Sequence, residues 1–360
     1  MNNITAASLF SGAGGMDIGF TRAGFDVVFA NELEKTFAST YEAYFGKGTI
    51  VQGDICDHMD DLRELGHVDV VFGGPPCQGF SVAGKMDPED PRSKMVWRYL
   101  DAVEILQPKV FVMENVRALG KLKKWEPIRS KFIKKAEELG YKVFYNVLNA
   151  VEYGVPQKRE RVFFVGVKGL ETSSDEFMSA LAAHKKTPQT IREVFSQYDR
   201  IGTGNNPDTC TAFVTLAAKP VMRKSPYAGM LLNGQGRPMN LDGYSQTLAA
   251  SMGGNKTPVI DQVALDNPDE PNWIEGYHKK IVDGDIEPEF AWAPDRLRRL
   301  SITEAAALQT FPDNYPFQGN NGKILSNRKC GSLQFGRGGC YYCQGIVFHL
   351  MQSEKSSTTL

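Results

Sequence analysis

The first 170 residues set the strongest constraint on this chain, because short apolar runs alternate there with helix-length stretches. Segments 4–10, 27–31, 68–72, 110–113, 142–148 and 161–167 read as strands. Segments 16–23, 35–45 and 131–139 read as helices. Runs such as Val-Asp-Val-Val-Phe at 68–72 are apolar on both sides, as strands covered on both faces must be. Strand–helix alternation of this kind predicts an α/β chain, with a mostly parallel, doubly wound sheet flanked by helices.

The rhythm breaks after Gly169. Glycine, asparagine and proline become frequent between 200 and 275 and helical periodicity fades, which predicts a separate loop-rich lobe over 170–295. A helix is expected again over 296–311, capped by Ser301 or Thr303, in a return segment 296–325 that completes the first domain. No stretch reaches membrane-spanning length, and the N-terminus lacks the basic and apolar regions of a signal peptide. Six irregularly spaced cysteines without an export signal read as reduced thiols of a cytoplasmic protein. Net charge is −1, so any nucleic-acid partner must be met by local patches and not by a global field.

Candidate chemistry gathers where the expected strands end. The turn Ser11-Gly12-Ala13-Gly14-Gly15 lies between a strand and a helix, and its glycines let backbone approach a ligand. It is not a G-x-G-x-x-G, so a dinucleotide pyrophosphate fits poorly, and a plain tight turn is the bland alternative. Glu32 closes the next strand, where a carboxylate can accept from both hydroxyls of a ribose, and Asp54 follows a third strand, within reach of an adenine amino group. Either acid alone is an ordinary loop residue; together they outline an adenosyl site. Cys77 sits in Gly-Gly-Pro-Pro-Cys-Gln-Gly-Phe-Ser (73–81), a poor packing segment directly after a strand, where a thiolate can act as a nucleophile. Glu114, also at a strand end, suits an acid or a hydrogen-bond partner to a ring nitrogen; a salt bridge with Arg117 is the structural alternative. Arg159 and Arg161 lead into the strand Arg-Val-Phe-Phe-Val-Gly-Val, at a charged strand edge that can meet a carboxylate or a phosphate.

These stretches resemble the ordered motifs of the DNA (cytosine-5)-methyltransferases of bacterial and phage restriction-modification systems. The resemblance is carried by SLFSGAGGMDIGF (8–20), GGPPCQGFS (73–81), ENVR (114–117), QKRERVFFVG (157–166) and RRLSITEAAALQTFPDNYPF (298–317), in order, over about 1–320. It implies the Rossmann-like fold of S-adenosylmethionine-dependent methyltransferases over 1–169, a target-recognition domain over 170–295 and double-stranded DNA as partner. It implies Cys77 as nucleophile, Glu114 at N3 of the base, Arg159 and Arg161 in support, and Phe10, Gly12, Gly14, Glu32, Asp54 and Ile55 around S-adenosyl-L-methionine. It also implies a monomer, with a cognate restriction endonuclease as a possible companion. An RNA cytosine-5 methyltransferase of the same architecture, and a binding relative that has lost its chemistry, are the competing readings. A zinc site at Cys330, Cys340, Cys343 and His349 is disfavoured by the single C-x-x-C, and no metal is expected.

The chain departs from the family near its end. The family closes on a motif close to Gln-Ile-Gly-Asn-Ala-Val-Pro, whereas this chain reads Ser-Asn-Arg-Lys-Cys-Gly-Ser at 326–332. Back-translation with one choice of codons, TCA AAT CGG AAA TGC GGT TCC, gives CAA ATC GGA AAT GCG GTT CC when read one nucleotide later, which encodes the missing motif. A frameshift just before Ser326 is therefore expected to make 326–360 an atypical tail.

Overall fold

A computed structural model describes residues 4–76, 94–169, 173–210, 212–248 and 253–318. Cys77, the C-terminal cysteines and the tail from 326 lie outside the described residues. The chain forms two compact units, one of 1–154 and 159–187 and the other of 155–158 and 188–335, with parts of each outside the described residues.

The first unit opens with β1 (Ile4–Leu9), α1 (Gly15–Arg22), β2 (Phe25–Glu32), α2 (Lys35–Phe45), β3 (Val51–Gln52), α3 (Met59–Leu65) and β4 (Val70–Gly73). It continues through α4 (Met95–Leu106), β5 (Val110–Val116), α5 (Arg117–Lys121), α6 (Glu126–Glu138) and β6 (Lys142–Asn149). A two-residue strand β7 (Gln157–Lys158), which belongs to the second unit, precedes β8 (Glu160–Val167) and α7 (Ser174–Ala183). Seven strands pair in the order β3-β2-β1-β4-β5-β8-β6. The first five run parallel, and β8 is antiparallel to both its neighbours. The doubly wound, mostly parallel sheet expected from the alternation is therefore present.

Side-chain alternation explains why helices cover both faces. Ala7, Leu9, Val71, Phe111 and Met113 pack with Leu62 of α3, Leu100 of α4 and Phe132 of α6 in one cluster. Phe72, one position out of phase with Val71, stacks on Phe20 of α1, with ring centroids 3.9 Å apart. Helix α6 starts earlier than the 131–139 expected, because Pro127 occupies its first turn, where no backbone N–H is needed. The first unit extends past Gly169 to include α7, whose Phe177 stacks on Phe144 of β6 at 4.7 Å. The packing boundary thus falls at 187/188, later than the break in sequence rhythm.

The second unit contains α8 (Ile191–Phe195), β9 (Leu216–Val221), β10 (Met230–Leu232), β11 (Ser245–Gln246), β12 (Val259–Asp261), α9 (Gln262–Asp266), α10 (Trp273–Asp283), β13 (Leu297–Arg299) and α11 (Ile302–Ala307). Among the described residues its strands form two-stranded ladders: β9 with β10, β7 with β11 and β12 with β13. Val214, Leu216, Leu231, Val259, Ile274 and Leu297 are among the residues of its core.

The helix expected over 296–311 is shorter than predicted. Residues 297–299 instead pair antiparallel with β12, so the helical pattern there is overridden by a ladder. Ser301 caps α11 by accepting from the Glu304 backbone N–H, and the Glu304 carboxylate accepts from the Ser301 N–H. Residues 296–318 fall within the second unit. Cys56 is exposed and free.

Candidate active site

The site is built at the carboxyl ends of β1, β2, β3, β4 and β5. The strand order reverses between β1 and β4, which opens the crevice where open α/β sheets bind ligands. Every residue singled out near that edge belongs to the first unit.

The loop after β1 turns sharply. Phe10, Gly12 and Gly14 all adopt positive φ, at 57°, 59° and 80°. Two of the three are glycines, for which this conformation costs little; Phe10 bears the strain, a feature that concentrates at ligand sites. Glu32 ties this loop to the next strand end: Oε2 accepts from the Gly12 N–H at 2.8 Å and Oε1 from the Glu34 N–H at 2.8 Å. Asn31 donates to the Val51 and Gly53 carbonyls, both at 3.1 Å, and so joins the ends of β2 and β3. Asp54 follows and caps the short 3-10 turn Ile55–His58 through the Cys56 N–H. Ile55 is buried beneath it.

These residues suit an adenosylmethionine. Two carboxylates stand at adjacent strand ends as acceptors for hydroxyls and an amino group. Helix α1 begins at Gly14 with no side-chain cap, so side chains do not occupy its first backbone N–H groups. Below the loop lies Asp17, fully buried and accepting from the Tyr41 hydroxyl at 3.0 Å. Burial pushes its carboxyl up to about 7, against the opposing pull of the Ser8 and Tyr41 hydroxyls.

The second cluster lies at the ends of β4 and β5. Gly73 passes so close to β1 that an added Cβ would lie 2.2 Å from the Leu9 carbonyl oxygen. A Cβ on Gly74 would lie 3.1 Å from Oε2 of Glu114. The Asn115 amide donates to the Pro75 carbonyl at 3.3 Å. The segment entering Cys77 is thus held against Glu114 and Asn115. Glu114 and Arg161 are both largely buried, and Arg161 Nε meets Glu114 Oε1 at 2.8 Å. The pairing follows from register: Val116 stands opposite Arg161 across the antiparallel β5–β8 ladder. Arg117, the alternative partner for Glu114, instead pairs with Glu160 at 3.2 Å. Arg159 precedes β8, and its backbone is fixed by Asn149 Oδ1 and the Ala150 N–H.

Sequence reading missed Gly74, which leaves room for the Glu114 carboxylate, Asn115 as the tie to the Pro75 carbonyl, Asn31 as the clamp on the Asp54 loop, and the buried Asp17. Asn115 had a visible signal, since it sits inside the Glu-Asn-Val motif. Gln157 was also passed over: it is buried, and both polar atoms of its side chain lack a hydrogen bond among the described residues.

The model of the C-5 cytosine-specific DNA methylase family matches residues 4–332. The chain belongs to that family. Type II methyltransferase M1.HphI of Haemophilus parahaemolyticus is 32% identical over 340 residues, covering 92% of this chain and 83% of that protein. Type II methyltransferase M.FnuDI of Fusobacterium nucleatum is 34% identical over 312 residues, covering 86% and 85%. In fold, the chain matches the S. pombe Dnmt2 methyltransferase with TM-score 0.65 at 17% identity, over 98% of this chain and 99% of that one. It matches the Entamoeba histolytica methyltransferase EhMeth with TM-score 0.65 at 14% identity, over 99% of each. This methyltransferase therefore uses S-adenosyl-L-methionine as methyl donor and carbon 5 of cytosine in DNA as acceptor. No helix among the described residues is long and apolar enough to cross a membrane.

Proposed function

We propose that the enzyme methylates one cytosine within a specific double-stranded sequence by covalent catalysis through Cys77. The observation that carries this reading is the Glu114–Arg161 pair at the end of β5, set beside the Gly74–Pro75 segment that enters Cys77. Cytosine C5 is a weak nucleophile. Addition of the Cys77 thiolate to C6 gives C5 enamine character and lets it attack an electrophilic methyl group. Bound S-adenosyl-L-methionine supplies that methyl as a sulfonium. Glu114 hydrogen-bonds or protonates N3 and stabilises the electron density that the attack drives onto the ring, while Arg161 fixes the carboxylate. Removal of the C5 proton and elimination of the Cys77 thiolate then restore aromaticity. The base must leave the helical stack to reach these groups, at a cost of a few kcal/mol.

For the methyl donor, Glu32 is assigned to the ribose hydroxyls and Asp54 to the adenine amino group. Phe10, Gly12, Gly14 and Ile55 shape the remaining walls, and Arg159 supports the catalytic segment. We assign target recognition to 170–295; its short ladders and long loops support a reading surface carried on a separate scaffold. The type II designation of the relatives supports a modification enzyme with a restriction endonuclease sharing its site, and we assign it to the cytoplasm as a monomer.

Expressing the chain in cells that lack cytosine methylation and sequencing their bisulfite-treated DNA tests the proposal. It predicts 5-methylcytosine at one position of one short motif. Unmethylated genomes in cells that accumulate folded protein would overturn it.

A further inference from the structure

The second unit contains a cavity of about 530 Å³. Among the described residues its lining includes Lys158, Arg237 and Lys256 but no aspartate or glutamate. All three cations are exposed. None of their side chains has an ion pair or hydrogen bond to another described residue. The chain as a whole has a net charge of −1, so this unpaired positive charge is a local feature and not the spill-over of a basic protein. Gln235 and Asn240 lie in the same lining and bring amides, which both donate and accept. Unpaired cations beside amides suit a ligand that is anionic on its backbone and patterned on its edges.

Arg237 differs from the two lysines in how its backbone is held. The neighbouring Gly236 N–H donates to the Asn255 carbonyl at 2.9 Å. The Arg237 carbonyl accepts from the Val259 N–H at 3.0 Å, and the Met239 N–H donates to the Val259 carbonyl at 2.9 Å. A Cβ at Gly236 would lie 1.9 Å from the Thr257 carbonyl oxygen and 2.8 Å from Nη1 of Arg299. Arg299 is itself buried and donates to the Thr257 carbonyl at 2.8 Å. The main chain on either side of Arg237 is therefore locked, while its guanidinium projects unpaired at the cavity. Fixing the stem lowers the entropy lost on binding and gives a planar fork a defined direction.

We infer that Arg237 reads a guanine through its O6 and N7 in the major groove, with Lys158 and Lys256 on flanking phosphates. The recognition sequence then contains a G·C pair at a fixed distance from the methylated cytosine. A planar guanidinium meets guanine O6 and N7 with two parallel N–H donors of fixed direction, a more specific contact than a lysine ammonium makes, whereas phosphates are met equally well by lysine point charges. The inference rests on the proposal that this part of the chain faces DNA.

The test uses the full chain on a random duplex library, with methylated products sequenced and binding measured as a function of salt. Wild-type protein should prefer guanine at one position. Arg237→Ala should reduce that preference roughly 10- to 100-fold, leaving preferences elsewhere and the salt slope nearly intact. Arg237→Lys, which keeps the charge and loses the planar fork, should restore the preference only in part. Lys158→Ala and Lys256→Ala should weaken all sequences alike, each lowering the salt slope by about one. Thermal melting of each variant reports that the fold is intact. Uniform weakening by Arg237→Ala, or an unaltered preference in that variant, would overturn the assignment of Arg237. If the two lysine variants also bind DNA as wild type does, the proposal that this cavity faces DNA fails with it.

Discussion

In the proposed mechanism Arg161 acts on the base through its ion pair with Glu114, and its loss should show in turnover. Arg161→Ala leaves a largely buried carboxylate without the guanidinium that holds it. Turnover on a methylatable duplex should fall on the order of 100-fold, with donor affinity little changed. Arg161→Lys should recover part of the loss; wild-type turnover in the alanine variant would remove Arg161 from the mechanism. Asp17 makes a prediction of a different kind. Its folded carboxyl is raised from 3.8 to about 7, so the folded state binds the proton more tightly than the unfolded chain. That contribution is fully present below about pH 4 and is lost as pH rises towards 7. Asp17→Asn should flatten this part of the melting-temperature profile and raise the melting temperature at pH 8 by a few degrees. A pH profile parallel to wild type would contradict the burial argument. The candidate residues stood out in the sequence because each sits in a short motif at one end of an apolar run, and Asn115 shares such a motif with Glu114. Gly74 and Asp17 did not, because their placement depends on which strand end or helix lies beside them.

At the scale of elements, strands buried on both faces announced themselves by composition, and β4, β5 and β8 appear close to where their apolar runs fall. The direction of β8 was not legible, since an apolar run reads alike in a parallel or an antiparallel ladder. Nor was the reason for Gly166, which interrupts the Phe-Phe-Val-Gly-Val run. Gly166 stands opposite Phe111 in the β5–β8 register, and an added Cβ would lie 1.9 Å from the Phe111 ring. Gly166→Ala should therefore cost about 1–3 kcal/mol, through a displaced Phe111 ring in the core. A denaturant titration checks this; an unchanged midpoint would mean that the ring yields freely. The segment 296–311 was misread for a related reason. Its apolar spacing suits a helix, yet Leu297–Arg299 finds a partner strand 36 to 40 residues upstream, in Val259–Asp261.

For the whole molecule, packing divides the chain later than the break in sequence rhythm does. Helix α7 packs with the first unit, although the sequence rhythm ends before it, because Phe177 has a ring to stack on in β6. Exchanging residues 188–295 for the matching segment of a relative should transfer sequence preference while donor binding stays with the host. A chimera that keeps the host's preference would move recognition elsewhere. The claim on which the account turns is covalent catalysis by Cys77 on cytosine, and one measurement reaches it directly. The full chain is incubated with S-adenosyl-L-methionine and duplex DNA in which 5-fluorocytosine replaces cytosine. Fluorine at C5 blocks the final proton loss, so the account predicts a stable protein–DNA adduct, with peptide mass spectrometry placing the methylated fluorocytosine on Cys77. Methylation of ordinary DNA without any such adduct, or an adduct on another residue, would contradict it.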